Sequence, residues 1–198
     1  MVVIKGNGKI YLAESYGNME EISPKSFASN PENWNIMRAY YSDTDKKISK
    51  KKQRRTVMVE AINHQADALR YAEIFPSTLN EKSLLNHTYP ALIEAFKPYE
   101  ALCDENVHTR VVLAEGDKAF LISENGAIEE IEEIYPTIPG YDMGAAGIYY
   151  AYKDECDTIS IIRKIYEGAE LYRGVKCFPV VIMTTGDDEP VILYKEEL

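Results

Sequence analysis

Short apolar runs separated by turn residues recur along this chain and predict β-hairpins. At its beginning, Val2–Ile4 and Ile10–Ala13 flank Gly6-Asn7-Gly8, whose residues accept the positive φ angles that tight turns require. The apolar run Thr56–Ile62 has the composition of a mostly buried strand. Three further patterns are of this kind: Arg110–Ala114 with Lys118–Ser123 around Glu115-Gly116-Asp117, Ala127–Ile131 after Asn125-Gly126, and Val180–Thr184 with Val191–Tyr194 around Gly186-Asp187-Asp188.

Apolar residues spaced three and four positions apart predict helices between these runs. The first helix follows Thr56–Ile62 directly, with Asn63 as its cap, and ends before Pro76. In the second, Pro90 lies inside the apolar pattern and predicts a kink near Asn86–His87. The inner face of this second helix consists of Leu84, Leu85, Thr88, Leu92, Ala95, Phe96 and Tyr99.

Two more helices follow the central strands. One begins at the small-residue segment Gly144–Gly147 and continues to about Tyr152. The other starts at Asp157 or Thr158, either of which can serve as the N-cap, and ends before Gly174. Its predicted inner face consists of Ile161, Ile162, Ile165, Ala169 and Tyr172.

The elements therefore alternate in the order strands, two helices, strands, two helices, strands. Two sheets packed face to face, each covered by a helix pair, satisfy that order. A chain of 198 residues predicts a single domain, 1–198. The segment Tyr16–Arg55 shows little periodicity, but so long a loop is uncommon inside a compact domain, so we expect part of it, such as Trp34–Tyr41, to form a strand or a helix.

Charge is unevenly distributed along the sequence. The net charge is −10, and Lys46–Arg55 holds seven of the 22 basic residues, which leaves −17 on the rest of the chain. Such a run can bind nucleic acid, but the acidic remainder would repel phosphates, and no tyrosine interleaves with the run as a stacking platform would require. A solvated loop is the favoured interpretation, and nucleic acid is not an expected partner.

The sequence also bears on where the protein is found. No stretch reaches the roughly 18–20 apolar residues of a membrane span, and Val2–Ile4 is too short for the core of a signal peptide. We therefore expect a cytoplasmic protein with no membrane partner.

Cysteine and histidine spacing indicates neither a disulfide framework nor a zinc site, and we expect no cofactor or metal. Cys103 is followed by Asp104 and His108, which superficially resembles a Cys–His dyad. Because dyad partners meet in space rather than in sequence, a packing or surface role for Cys103 is favoured. The residues considered are Cys103, Cys156, Cys177, His64, His87 and His108.

Four stretches of the chain are notable for their collinear order: Asn7–Ala13, Thr56–Tyr71, Lys118–Gly126 and Gly140–Cys177. Together they resemble the bacterial proteasome-like peptidases, the HslV group and its relatives, which have the N-terminal-nucleophile hydrolase fold. The resemblance implies an α+β protein, a four-layer αββα sandwich with two antiparallel sheets between helix pairs, in agreement with the order of elements above. It also implies ring-shaped homo-oligomers, typically hexamers or heptamers stacked in pairs, and an ATPase or peptide partner.

The resemblance does not carry over an intact catalytic site. In that family the nucleophile is an N-terminal Thr, Ser or Cys whose own α-amino group is the general base, whereas Met1 and Val2 have neither hydroxyl nor thiol. The family's remaining positions fall on Ser15 or, with a one-residue slip, Glu14 for the Asp, on Lys47 or alternatively Lys25 for the Lys, and on Ile138-Pro139-Gly140 for the Gly-Ser-Gly turn that orients the amine. Of these degenerate positions, Lys47 lies in a basic run where a lysine is expected in any case.

Three hypotheses follow for function. The first is a catalytically inactive proteasome-like protein that acts as a self-assembling, structural or regulatory subunit. The second is an active threonine-type peptidase whose mature N-terminus differs. The third is a binding module that uses the basic segment 46–55.

Overall fold

The computed structural model describes residues 1–17, 36–41, 53–60, 75–96, 110–123, 125–187 and 189–195; for 36–41, 53–60 and 95–96 it describes the backbone. The chain divides into two compact units. We call Met1–Ser29 with Ile131–Leu198 the terminal unit, and Asn30–Glu130 the central unit. The single domain expected over 1–198 stays a prediction.

Within the described residues the chain forms ten strands and four α-helices. In chain order they are β1 (Val2–Gly6), β2 (Lys9–Ser15), β3 (Ile36–Tyr41), β4 (Gln53–Glu60), α1 (Glu81–Ser83), a π-helical segment (Leu84–Thr88), α2 (Tyr89–Phe96), β5 (Arg110–Glu115), β6 (Lys118–Ser123), β7 (Ile128–Glu130), β8 (Ile134–Pro136), α3 (Asp142–Tyr152), α4 (Thr158–Arg173), β9 (Val180–Thr184) and β10 (Val191–Leu193). The hairpins predicted from the apolar runs are confirmed. Of the helices in this described part, none is both long and apolar enough to cross a bilayer.

The sheet of the terminal unit has the strand order β10-β9-β2-β1-β8, and each neighbouring pair is antiparallel. Asn7 and Gly8, with φ of 52° and 70°, form the two-residue turn between β1 and β2. Gly6 was expected to share this positive φ, and that expectation is wrong because Gly6 lies within β1. A Cβ there would come within 2.7 Å of the Thr158 hydroxyl oxygen, so the glycine permits the start of α4 to approach.

Helix α4 begins and ends where the sequence predicts. Asp157 is the N-cap and accepts a hydrogen bond from the Ser160 amide at 3.0 Å, while Gly174 at the C-cap has a φ of 64°. The prediction of Tyr172 on the inner face is wrong: Tyr172 is exposed. In the last turn of α4 its ring lies beside that of Tyr141 at the start of α3, with centroids 5.4 Å apart, and not within the core of the terminal unit. The face buried against the terminal sheet contains Ile161, Ile162, Ile165, Tyr166 and Ala169.

The sheet of the central unit has the order β3-β4-β5-β6-β7 and is also antiparallel. Strand β3 confirms that part of Trp34–Tyr41 is regular. The solvated loop expected over Lys46–Arg55 is wrong for the end of that run, because pairing between β3 and β4 extends back to Gln53. The rest of the run and the helix expected after Asn63 lie outside the described residues, and binding through the run stays a prediction.

A helical run packs on the central sheet, with Leu84 and Leu92 against residues of β5 and β6. The irregularity expected near Asn86–His87 takes the form of a π-helical turn, in which the Tyr89 amide donates to the Leu84 carbonyl. Pro90 is the reason, since it has no N–H with which to continue the α-helical ladder.

Strand β8 is the strand that the sequence pattern did not predict. Only three residues long and ending in Pro136, it lacks the alternation of a longer strand. It lies at the edge of the terminal sheet, where a proline is accepted, and pairs with β1 so that Pro136 is opposite Val2.

Candidate functional site at the start of the first strand

Sheet topology brings together most of the positions that the resemblance assigns to catalysis. Strand β1 lies between β2 and β8 and is antiparallel to both, so the end of β2 and the segment after β8 both lie beside Met1. Glu14 and Ser15 end β2, and Pro139 and Gly140 follow β8. The two candidate lysines, Lys25 and Lys47, fall outside the described residues.

Met1 is held by backbone pairing with Thr137. The α-amino group of Met1 donates to the Thr137 carbonyl at 3.0 Å, and the Thr137 amide and hydroxyl donate to the Met1 carbonyl at 2.8 and 3.3 Å. The amine is buried, and a buried ammonium group needs a counter-charge. Glu14 supplies it, with Oε2 at 3.5 Å from the amine nitrogen. Of the two candidates for the family's Asp, Glu14 is therefore the one that faces the amine.

Ser15 makes a different set of contacts. Its hydroxyl donates to the Cys177 carbonyl at 2.6 Å. The Cys177 and Phe178 amides donate to Oε1 of Glu170 at 2.8 and 3.4 Å, and Nζ of Lys195 donates to Oε2 at 2.5 Å. We call this network, which joins β2, α4 and the entry to β9, the Glu170 anchor.

Two pKa shifts describe the Glu170 anchor. Burial alone would raise the pKa of Glu170, but the hydrogen bonds from Lys195 and from the Cys177 and Phe178 amides outweigh it, so the pKa lies below its usual range. Burial also raises the pKa of the Cys177 thiol, which makes the thiolate scarce near neutral pH. The anchor therefore holds an ionised carboxylate and an unreactive thiol, an arrangement suited to structure.

Tyr166 of α4 contacts the site from the face of the terminal sheet that α4 covers. Its hydroxyl donates to the Ala13 carbonyl at 2.9 Å, and the side chain is fully buried. Burial, with a smaller effect of the Glu14 charge, raises its pKa well above the usual value, so the hydroxyl stays protonated and keeps donating. Sequence reasoning missed Tyr166, although a tyrosine within the apolar stripe of α4 signals a hydroxyl in need of a partner.

The turn that follows β8 is closed by backbone and carboxylate contacts. The Ile138 amide donates to Oδ1 of Asp142 at 2.7 Å, and the Tyr141 amide donates to the Ile138 carbonyl at 2.7 Å. Gly140 has a φ of 76°, which explains a glycine there. Pro139, at the place of the family's serine, has neither a hydroxyl nor an N–H.

These contacts limit the chemistry of the site as described. The hydroxyls of Ser15, Thr137 and Tyr166 each donate to a backbone carbonyl, whereas a nucleophilic hydroxyl donates to a base. Across the described part of the chain, no three His, Cys, Asp or Glu side chains cluster as a metal site would need. What remains is an amine beside a carboxylate, at the start of a buried strand.

Comparison with known proteins bears on the fold. No protein-family model and no curated protein match this chain. The solved structure of Thiobacillus denitrificans BPH in complex with epoxomicin is similar over 92% of this chain and 96% of its own, with 15% identity and a TM-score of 0.62. A second structure of that BPH gives 14% identity, coverages of 92% and 95%, and a TM-score of 0.59. Eukaryotic HslV from Trypanosoma brucei gives 12% identity, coverages of 92% and 97%, and a TM-score of 0.50.

These likenesses show the fold of the chain. The predicted α+β class with two antiparallel sheets is confirmed. The solved structures that share the fold include an HslV protein, in agreement with the resemblance identified in the sequence.

Proposed function

We propose that this chain is a proteasome- and HslV-like protein that has no peptidase activity of its own. It assembles with copies of itself into a ring in the cytoplasm and acts as a structural or regulatory subunit. The fold shared with BPH and HslV supports the protein class. Low sequence identity to both leaves the catalytic residues to be judged from this chain's own contacts.

The observation that carries the proposal is what occupies the family's catalytic positions beside Met1. Of the two candidates for the family's Asp, Ser15 donates its hydroxyl to the Cys177 carbonyl at 2.6 Å, which leaves the carboxylate of Glu14. Where the resemblance places the serine that orients the amine, Pro139 has no donor to offer. Glu14 lies close to the amine, and a carboxylate by itself supplies no nucleophile for amide attack.

Epoxomicin is a direct probe of activity, since the similar Thiobacillus BPH was solved in complex with it. The protein, purified in its natural form, is incubated with epoxomicin and, separately, with fluorogenic peptides. We expect an unchanged intact mass and no hydrolysis above buffer, while BPH treated in parallel serves as the positive control. A mass increase of one inhibitor, or peptide hydrolysis, contradicts the proposal.

An active threonine-type peptidase with a different mature N-terminus is the second candidate, and the pairing of Met1 favours it. An ordinary peptide N–H can donate to the Thr137 carbonyl just as the Met1 amine does, so residues placed before Met1 can extend β1 and keep that hydrogen bond. A preceding residue with a hydroxyl would supply the nucleophile. The intact mass of protein from its natural source decides, because a terminus at Met1 or Val2 removes this candidate.

Self-assembly is tested independently of activity. Light scattering gives the mass of the particle, and negative-stain imaging gives its symmetry. We expect a ring with six-fold or seven-fold symmetry, as the family resemblance implies. A monomer at micromolar concentration contradicts the assembly part of the proposal and leaves the question of activity to the epoxomicin experiment.

A further inference from the structure

The residues that follow β10 are fastened to helix α4. Tyr194 and Lys195 come directly after the strand, and both are exposed. Nη1 of Arg163, on α4, donates to the Tyr194 carbonyl at 2.9 Å. Nζ of Lys195 donates to Oε2 of Glu170, on the same helix, at 2.5 Å. We call Tyr194–Lys195 the α4 strap.

The contacts of the α4 strap lie at the surface of the protein. The Lys195 side chain is 70% exposed, whereas that of its partner Glu170 is only 11% exposed. The contact with Arg163 is exposed as well, and β10 is an edge strand of three residues. Exposed ion pairs contribute little to stability, and local openings of such segments cost far less than global unfolding. The strap can therefore leave α4 while the sheet stays paired.

The other oxygen of Glu170 holds the entry to β9, residues 176–179. Oε1 accepts from the Cys177 and Phe178 amides at 2.8 and 3.4 Å, and both contacts are partly buried. One carboxylate thus joins an exposed strap on one side to a partly buried backbone segment on the other.

The entry to β9 in turn contacts the end of β2. The Ser15 hydroxyl donates to the Cys177 carbonyl at 2.6 Å, and the Tyr16 amide donates to the Pro179 carbonyl at 2.8 Å. Glu14, the residue before Ser15, belongs to the candidate site. A continuous set of contacts therefore leads from the surface of α4 to that site.

We propose that the α4 strap is a releasable device, and that its release loosens the entry to β9 beside the candidate site. Lys195 fixes one oxygen of Glu170 and so fixes the direction in which the other oxygen accepts from the Cys177 and Phe178 amides. When the ammonium group leaves, the carboxylate is free to rotate, and the two amides lose an oriented acceptor. An event at the surface of α4 thereby reaches the end of β2. The strap acts in this way whether or not the protein is a peptidase.

Amide hydrogen exchange of the full-length protein, followed residue by residue with NMR, measures this loosening. Lys195→Met removes the ammonium group and keeps an unbranched side chain at an exposed position, so the variant is expected to fold. We expect the Cys177 and Phe178 amides to exchange about tenfold faster than in the wild type, because a hydrogen bond to a charged acceptor is weakened. The Tyr16 amide should follow by a smaller factor. Lys195→Arg keeps the charge and is expected to exchange at nearly the wild-type rate.

Lys164→Met is the matched control. Lys164 is also on α4, but its Nζ lies 4.8 Å from the centroid of the Tyr152 ring at the end of α3. Loss of this charge is expected to leave exchange at the Cys177 and Phe178 amides unchanged.

Three results would overturn the strap. The first is wild-type exchange at both amides in Lys195→Met. The second is a uniform increase across β1, β2 and β9, since the variant would then lower the stability of the whole unit and not release one segment. The third is an equal increase in Lys164→Met, because any lost charge on α4 would then have the same effect. None of these results bears on self-assembly or on peptidase activity, which are measured separately.

Discussion

Glu14 and Ser15, the last two residues of β2, contact two different regions of the terminal unit: the start of β1 and the Glu170 anchor. Successive side chains of a strand point to opposite faces, so Glu14 lies beside the Met1 amine, while Ser15 joins the Glu170 anchor. The start of β1 depends on ladder bonds to Thr137 and on an ion pair of 3.5 Å. The Glu170 anchor instead holds its carboxylate with three donors.

The two regions differ in the contacts that hold their carboxylates. In the anchor, both oxygens of Glu170 are occupied, and the carboxylate is fixed between α4 and the backbone before β9. Beside Met1, Glu14 faces a charged group at 3.5 Å. The anchor therefore fixes its carboxylate through both oxygens, whereas Glu14 provides a charge opposite the Met1 amine.

Removal of the Glu170 carboxylate is expected to give the largest loss of stability. In Glu170→Ala the partly buried Cys177 and Phe178 amides lose a charged acceptor, and we expect the free energy of unfolding to fall by about 3 kcal/mol. Urea denaturation measures it. Glu167→Ala, an exposed carboxylate on the same helix, is the control and should change the free energy by less than about 0.5 kcal/mol. Equal losses in the two variants would contradict the role given to the anchor.

Tyr166→Phe is expected to have the next largest effect. It leaves the buried Ala13 carbonyl without the hydroxyl that donates to it, which should cost about 2 kcal/mol of unfolding free energy. Tyr172→Phe is the matched control, because Tyr172 is largely exposed. If Tyr166→Phe leaves the urea midpoint unchanged, the hydroxyl does not support the end of β2.

Ser15→Ala and Glu14→Gln compare the two faces of β2 directly. We expect Ser15→Ala to lower the free energy of unfolding by about 1 kcal/mol, because the Cys177 carbonyl loses a donor. Glu14→Gln leaves the buried Met1 amine without its counter-charge, so we expect it to cost more than Ser15→Ala, about 2 kcal/mol at neutral pH. A smaller loss for Glu14→Gln than for Ser15→Ala in parallel urea titrations would contradict the pairing of Glu14 with the buried amine.

The smallest effect concerns pH. The pKa of Glu170 is lower in the folded protein than the value of about 4.3 for an unperturbed glutamate. Its ionisation therefore stabilises the fold fully above that unperturbed value, and this contribution is lost as the pH falls through the lower, folded pKa. We expect the difference in unfolding free energy between wild type and Glu170→Gln to shrink between pH 6 and pH 3. A difference that stays constant over this range would exclude ionisation of Glu170 as its cause.

Local signals in the sequence were sufficient for most elements. Asn7-Gly8 specifies a two-residue turn, and Asp157 with Gly174 marks the ends of α4, since each acts through its own backbone neighbourhood. Contacts between distant segments were not predictable in this way. The pairing of Met1 with Thr137 depends on β8, a strand too short to leave a pattern.

The candidate site shows the same division. From the sequence, either Glu14 or Ser15 can occupy the position of the family's Asp. The choice between them depends on which of the two side chains lies on the face of β2 that carries the Met1 amine. Tyr166 was not predicted to belong to the site, because the carbonyl to which it donates, that of Ala13, is 153 residues away in sequence. A chemical role that is assembled from distant segments becomes visible only when strand register and helix packing are known.

Tyr141 constrains how this protein can vary. Its ring fills the space that a side chain at position 144 would need, and its hydroxyl fills the space at position 168, so any larger residue at either position requires Tyr141 to move. Replacement of Tyr141 by a small residue would release both positions at once. Variants of this helix pair should therefore change all three positions together.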